Sequence, residues 1–402
     1  MSPDLDVVIV GGGIQGLLAL DTLRARGYAC ALVSDGDLGS GQTLHSHGFF
    51  NTGFGLLGDQ LQRASHELVQ PYLRAHGLEP TGQWMLIPPP GFPDEGALPA
   101  TLPAGFDTSI AERVVALSDR SFPKQRLVET MSRGHLARIV RGRAMLAVRG
   151  RRVEAVAVRL AATGDEVVLA AKVVVIAAGC ASKRMLYDVV GATAQTEQIK
   201  HRRVHMICVR APAGSLPGVS VAAMPLGLML AAHDQQDNVT WYVTPMEFAG
   251  PSYDDVPADA SSDVDTEVVA RGFQALLRLF PVLPDVESLR VGCYAGYRQD
   301  IGDQPGMPMC ELVEGTGNVI LALPSGLVTP WLNAARIGDI VSELSDPSGA
   351  QAPVPGAGIG VQTGFAVEDR PEFPWLSLQQ WLQAPSRSET PSTRAVGATG
   401  SS

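Results

Sequence analysis

The succession of apolar runs in this 402-residue chain predicts an α/β architecture in two parts. One is a parallel sheet carrying an antiparallel three-stranded meander; the other is a second, mostly antiparallel β domain set over it as a cap. Three observations carry the prediction. The first is a strand, a glycine-rich turn and a helix, with residues 6–16 reading DVVIVGGGIQG. The second is a set of short alternating runs between turn signals from 144 to 169. The third is a pair of continuous apolar runs, 172–178 and 318–323, as parallel strands buried on both faces require.

Residues 7–10 read as the first strand. Gly11, Gly13 and Gly16 then form a turn opening a helix that bears Leu17, Leu20 and Leu23 and closes at Gly27, and residues 29–33 form the next strand. Gly11 permits the tight turn, Gly13 lets the backbone approach a pyrophosphate, and Gly16 lets helix and strand pack closely. Ile14 and Gln15 stand at the helix N-terminus, whose free N–H groups and positive dipole end suit phosphate oxygens. This Rossmann-like pattern predicts dinucleotide binding; the alternative is the same fold with a degenerate, empty site. The ribose-binding acid expected at the end of the second strand is displaced, with Ser34 in its place and Asp35 following. Either Asp35 bends back to the ribose or Ser34 makes a weaker neutral contact.

Further along, a polar loop at 39–48 precedes a helix over 59–76, with Pro71 a kink point. A strand over 82–90 leads through loops and short strands to 117, and a helix follows over 124–136. The meander strands are 144–148, 153–160 and 166–169, and 172–178 is a separate buried strand. From 196 to 290 the chain alternates strands and long loops around one helix, 268–280. A buried strand at 318–323 and a helix at 330–344 complete the first domain. The division is therefore 1–80, 118–195 and 290–345 for the nucleotide-binding domain, and 81–117 with 196–289 for the substrate or cap domain. Residues 346–402 form a Pro/Gly/Ser-rich tail, disordered from 384 on. An apolar island at 373–382 with Trp375 and Trp381 either packs on its own domain or docks a protein partner.

A net charge of −10 argues against nucleic acid and anionic membrane surfaces. No run reaches the roughly 20 apolar residues of a membrane span, and residues 1–10 lack the features of a secretory signal. Five scattered cysteines without a CxxC pair fit a reducing, cytoplasmic setting. No metal site is expected: among the histidines only His201 and His205 are closely spaced, and along a strand i and i+4 sit far apart. The absence of GxSxG and P-loop motifs removes hydrolase and kinase readings.

Four blocks resemble the FAD-dependent oxidoreductases of the D-amino acid oxidase superfamily. They are the glycine unit; GQTLHSHGFFNTG at 41–53, similar to a loop of L-2-hydroxyglutarate dehydrogenases; VVVIAAGCAS at 173–182; and YAGYRQDIGDQPGMP at 294–308, leading to LALPSGLVTPWLNAARIGD. The resemblance implies FAD as cofactor. Beyond the glycine unit, the implied contacts are Gly41, Gln42, Thr43, His45, Ser46, His47 and Gly48 of the loop, and Ala144, Ala178 and Gly179. Arg298 and the backbone of Ser325, Gly326 and Leu327, aimed at the flavin's pyrimidine carbonyl, complete the set. The family often has Gly-His where this chain has Pro324-Ser325, and Gln299 replaces a proline after Arg298.

The implied activity is oxidation of a C–N or C–O bond in a small, carboxylate-bearing amine, amino acid or 2-hydroxy acid, with molecular oxygen or another acceptor taking the electrons. Arg298 would grip the carboxylate bidentately, with Asp303 at the family's acidic place; the plainer reading is an ion pair of Arg298 with Asp303 or Asp300. Tyr294 and Tyr297 flank it, one facing the site and the other the packing. His45 and His47 are either general bases or hydrogen-bonding groups, and His45 matches the covalent attachment point of dimethylglycine and sarcosine dehydrogenases. The alternatives are a flavin monooxygenase or tailoring enzyme, and a flavoprotein subunit that acts within a complex.

Overall fold

The computed structural model describes residues 4–52, 60–92, 98–235, 237–246, 252–253, 256, 264–283, 288–302, 306–349 and 353–383. Asp303, Gly53 and the 384–402 stretch lie outside the described residues. The first sheet is built around Asp4–Val10, which pairs in parallel with Cys30–Ser34 on one side and with Glu166–Ile176 on the other. Beyond them come the first residues of Ile139–Arg149 at one edge, then Val319–Leu323 and an antiparallel Met309–Leu312 at the other.

Two strands of this sheet are long. Ile139–Arg149 and Glu166–Ile176 run out of the parallel layer and pair antiparallel with Arg152–Leu160 to make the meander. The sequence reading of 166–169 and 172–178 as two strands is corrected to one. Ala170 and Ala171 pair with Asp4 and Leu5 without a break, so the meander flows directly into the buried layer. Helices Ile14–Ala25, Gln60–Ala75, Lys124–Arg133 and Thr329–Leu344 cover this sheet, burying Val7, Ile9, Leu17, Leu20 and Ile337 completely. Gln60–Ala75 continues through Pro71. A helix absent from the sequence reading, Ser182–Val190, follows Gly179.

The second sheet is mostly antiparallel. Its spine is an unbroken register of Ile199–Pro212 against Arg290–Ile301, from Ile199 opposite Ile301 to Arg210 opposite Arg290. Strand Arg290–Ile301, grouped by the sequence division with the first domain, therefore hydrogen-bonds within the second sheet. Asn238–Pro245, Leu228–Asp234, Ser220–Ala223, Thr81–Ile87 and Val115–Ser121 continue the sheet, and Phe49–Phe50 ends it. Helix Thr266–Leu279 covers one face, capped by Asp265, whose carboxylate accepts from the N–H groups of Glu267 and Val268. The other face carries Trp84, Met206, Tyr242 and Tyr294. No helix among the described residues is long and apolar enough to cross a membrane.

The segment after 352 is a strap over both sheets. Gly358 N–H donates to Ile139 (2.9 Å) and Gly364 N–H to Leu38 (2.8 Å), while Leu376–Ser377 adds to the edge of Arg290–Ile301. Phe373 is buried against Gly292, where a Cβ would lie 2.1 Å from its ring. The apolar island thus packs on its own chain. Phe373→Ala is expected to destabilise the protein by about 3–5 kcal/mol, as truncation of a buried Phe does, read as a lowered urea midpoint. A variant unfolding at the parent midpoint would show the strap to be energetically idle.

Candidate functional site

A cavity of about 1190 Å³ extends from the glycine turn, past the 41–47 loop, to the turn before the Thr329–Leu344 helix. At its head the backbone is crowded in a way only glycine allows. A Cβ on Gly11 (φ +125°) would lie 2.1 Å from the Ala177 oxygen, and one on Gly12 would lie 2.2 Å from Ser34 Oγ. Gly13 stands at the helix N-terminus, where Ile14 N–H donates to Thr43 Oγ1 at 3.1 Å. Gly16 does not line the cavity; a Cβ there would lie 1.9 Å from the Gly11 oxygen. Gly48 is likewise off the cavity, at positive φ beneath His233. Gly12 was not picked out from the sequence, although GGG contains it.

Ile14, Gln15, Gly41, Gln42, Thr43, Ser46, Ala144, Ala178 and Gly179 all line the cavity. Ser34 and Asp35 line it too. The Ser34 hydroxyl donates to Gly36 O (2.9 Å), while Asp35 is exposed. Asp37, also on the wall, is held by Arg141 at 2.8 Å. At the far end Ser325, Gly326 and Leu327 are present, but Ser325 N–H is already bonded to Thr329 Oγ1 (3.0 Å), so it is not free to reach outward as expected.

His45 and His47 both line the cavity, and the Nε2 of each is buried without a hydrogen-bond partner among the described residues. Burial, reinforced for each by the Lys124 charge and for His45 by Arg370, pulls His45 down to about 4 and His47 to about 3. His233, whose Nε2–H donates to the His47 carbonyl oxygen (2.8 Å), is pulled to about 4 by burial and Lys124. These imidazoles are neutral near pH 7 and are weak bases. Glu368 of the strap is buried with both carboxyl oxygens unpartnered, and burial pushes it up to about 7 against the opposing Lys124 charge. Cys180 lines the cavity as a thiol pushed up to about 12 by burial, donating to Tyr297 O at 3.4 Å.

The second sheet contributes the remaining wall: Met206, Met229 and Thr244, with Phe49 from the loop. Arg298 is tied to Asp300, Nε to Oδ1 at 3.1 Å, and Arg202 reaches the other oxygen of that carboxylate at 2.7 Å. Arg202 and Arg298 are directly opposite in the register, and Asp300 is 2 % exposed. Among the described residues two guanidiniums thus share one carboxylate, and both arginines line the cavity. By strand alternation Tyr294 shares the face of Arg298; its ring sits 5.7 Å from His45. Tyr297 falls on the other face and offers its carbonyl, which accepts from Gln42 Nε2. Arg202 was missed because cross-strand register is not written in a single strand's sequence.

A family profile described as FAD dependent oxidoreductase (DAO) matches residues 6–344. A 48-residue stretch is 48% identical to a probable FAD-dependent oxidoreductase, PA4991, of Pseudomonas aeruginosa, and spans 12% of each chain. The crystal structure of the FAD dependent oxidoreductase PA4991 from Pseudomonas aeruginosa is similar at TM-score 0.70 and 20% identity, covering 91% of this chain and 97% of that one. L-proline dehydrogenase from P. horikoshii is similar at TM-score 0.63 and 14% identity, covering 89% and 96%. At such identities the structural likeness establishes the fold.

The buried imidazoles make stability depend on pH. An unfolded imidazole titrates near 6.5, whereas the folded values for His45, His47 and His233 are about 4, 3 and 4. As pH falls from about 6.5 toward 4 the unfolded chain therefore binds more protons than the native one at these sites. Glu368 works oppositely, taking up a proton in the fold near 7 that the unfolded carboxyl binds only near 4.5. The net difference of about two protons predicts that stability is lost on acidification, by about 2–3 kcal/mol per pH unit around pH 5. Urea titrations at pH 7, 6 and 5 check this; a midpoint that holds constant or rises would contradict it.

Proposed function

The chain belongs to the DAO family of FAD-dependent oxidoreductases, and on that premise we propose that it oxidises a C–N bond, or the equivalent C–O bond, of a small carboxylate-bearing molecule with an apolar portion. The observation that carries this reading is the Arg202–Asp300–Arg298 cluster at the edge of a wall formed by Met206, Met229 and Phe49. A guanidinium fork recognises a carboxylate bidentately. The thioether and aromatic side chains favour an apolar group beside it and exclude water. Related structures include an L-proline dehydrogenase, and glycine oxidase from Bacillus cereus at TM-score 0.62 and 14% identity, covering 86% of this chain and 99% of that one. They favour an amino acid over a 2-hydroxy acid.

FAD is the cofactor, and the cavity suits it. The Gly11–Gly12–Gly13 backbone lines the cavity bare of side chains, at the start of a 12-residue helix whose positive N-terminus favours phosphate. In this reading Ala178, Gly179 and Ala144 form the neighbouring wall, the 41–47 loop flanks the cofactor, and the 325–327 turn faces its ring end. When bound, FAD supplies the two-electron acceptor. The chain's own contribution is to hold the substrate carboxylate at Arg298 and Arg202 and to fix its orientation against the apolar wall. His45 and His47, neutral and with an unbonded nitrogen, orient a substrate or cofactor polar atom through hydrogen bonds. Their low proton affinity makes long-lived storage of the substrate proton unfavourable. The electron acceptor is molecular oxygen or a second redox partner.

Anaerobic bleaching of the flavin band by a panel of L- and D-amino acids, secondary amino acids and 2-hydroxy acids tests the proposal. Bleaching by neutral amines alone would overturn it. With a substrate identified, Arg298→Ala is expected to raise KM by at least about 30-fold, corresponding to about 2 kcal/mol for a truncated charge pair. The methyl ester of the same substrate should be affected far less. Equal losses for acid and ester would remove the carboxylate anchor.

A further inference from the structure

The loop that carries His45 and His47 has an unusual hydrogen-bond pattern. Each carbonyl from Thr43 to His47 is engaged by a side chain. Ser46 Oγ donates to Thr43 O (3.0 Å), Lys124 Nζ to Leu44 O (2.9 Å) and also to Ser46 O, and Tyr294 Oη to His45 O (2.8 Å). His233 Nε2 lies 2.8 Å from His47 O, and the backbone N–H of Phe122 donates to Gly48 O (2.9 Å). The backbone is thus held from below, while the imidazole Nε2 atoms of His45 and His47 are left without partners at the cavity wall.

One atom, Lys124 Nζ, takes two of these five carbonyls. The Lys124 side chain is buried (the residue is 5 % exposed), and its ammonium bridges the two carbonyls that flank His45. The Tyr242 ring also faces it, with its centroid 4.3 Å away. Burying an ammonium is costly unless its donors are used, and here they close the open carbonyl end of a four-residue helix, Gln42–His45. Lys124 itself is fixed as the first residue of Lys124–Arg133, after the N-cap Pro123 and the wholly buried Phe122. It does not line the cavity, so apart from its charge it acts on the site through the loop.

The geometry points to Lys124 as a positioning residue that presets the backbone of the 42–47 loop, and hence the direction of His45 and His47, before any ligand enters. Tyr294 is its partner in this, fixing the carbonyl between the two that Lys124 takes. The consequence for turnover rests on the oxidation proposed above. The structural statement does not, and it can be tested separately.

Hydrogen exchange by mass spectrometry of the FAD-loaded protein reads the loop directly, because Leu44 and His45 N–H groups bond to Gly39 O and Gly41 O. In Lys124→Met, exchange in peptides covering 41–48 should rise at least tenfold, while peptides from 152–176 stay within twofold of the parent. Lys124→Arg, which keeps a cationic donor, should recover part of the protection. If Lys124→Met does not fold, Tyr294→Phe, which deletes one donor and little volume, should raise loop exchange by a smaller factor. Unchanged loop exchange in a folded variant, or a uniform rise across the chain, would overturn the proposal. A protein with the predicted exchange pattern that oxidises no carboxylate-bearing substrate would instead retire only the proposed activity.

Discussion

The close approach of the glycine turn to the first helical turn governs much of what surrounds it. The Gly11 oxygen occupies the place where a Gly16 Cβ would stand, and the Gly11 α-carbon is itself pressed against Ala177 and Ala178. Three segments (the turn, the first helical turn and the end of Glu166–Ile176) meet at a separation no side chain would permit. The helix therefore begins at once after the strand, with its N-terminus on the cavity. Because Ile14 N–H binds Thr43 Oγ1, the same junction anchors the 41–48 loop. That loop continues into Phe49–Phe50, an edge of the second sheet. A crowded glycine turn thus sets both the nucleotide end of the cavity and the start of its opposite wall.

Buried charge does the rest of the fastening, and two acids show how. Burial alone would raise Asp6, yet Lys172, Ser348 and the Ala29 N–H outweigh it and hold the carboxyl at about 2. It thereby ties the first strand to the start of the second and to the segment after the Thr329–Leu344 helix. Glu368 has no such partners, and its burial is offset chiefly by the Lys124 charge. One carboxyl is a satisfied structural tie; the other is an unsatisfied group placed where the strap, the second sheet and the histidine loop converge. The difference lies in donors within reach, not in depth.

What could be read from the chain followed the range of the interactions involved. Glycine chemistry, period-two alternation and continuous apolar runs are local, so the first strand–helix–strand unit, the meander and the 319–323 strand were legible, although the first strand begins three residues earlier, at Asp4, and the first meander strand five earlier, at Ile139. The junction of 166–169 with 172–178 was not. Ala170 and Ala171 carry little hydrophobic signal, and only pairing with Asp4 and Leu5 makes them strand. Arg298 and its ion pair with Asp300, two residues along the same strand, were legible, whereas Arg202 became their companion only through the 199–301 register. Lys124 was hidden for the same reason: its partners, Leu44 and Ser46, are about eighty residues away.

The displaced acid after the second strand has a steric counterpart across the turn. Gly12 approaches Ser34 so closely that a Cβ would fall 2.2 Å from the hydroxyl, and that hydroxyl is turned to Gly36 O. Position 34 is thus matched to a small side chain, and a long carboxylate there would have to leave the strand past Gly12. Of the nearby acids on the cavity wall, Asp37 is paired with Arg141, and Asp35 is exposed with no ion-pair partner among the described residues. An exposed carboxylate interacts through a high dielectric and contributes less than one held at a strand end. In the proposed site the hold on the dinucleotide therefore shifts from the ribose acid to the glycine backbone and the helix N-terminus. Those groups are fixed by the Gly11–Gly16 contact and do not depend on which acid follows the strand.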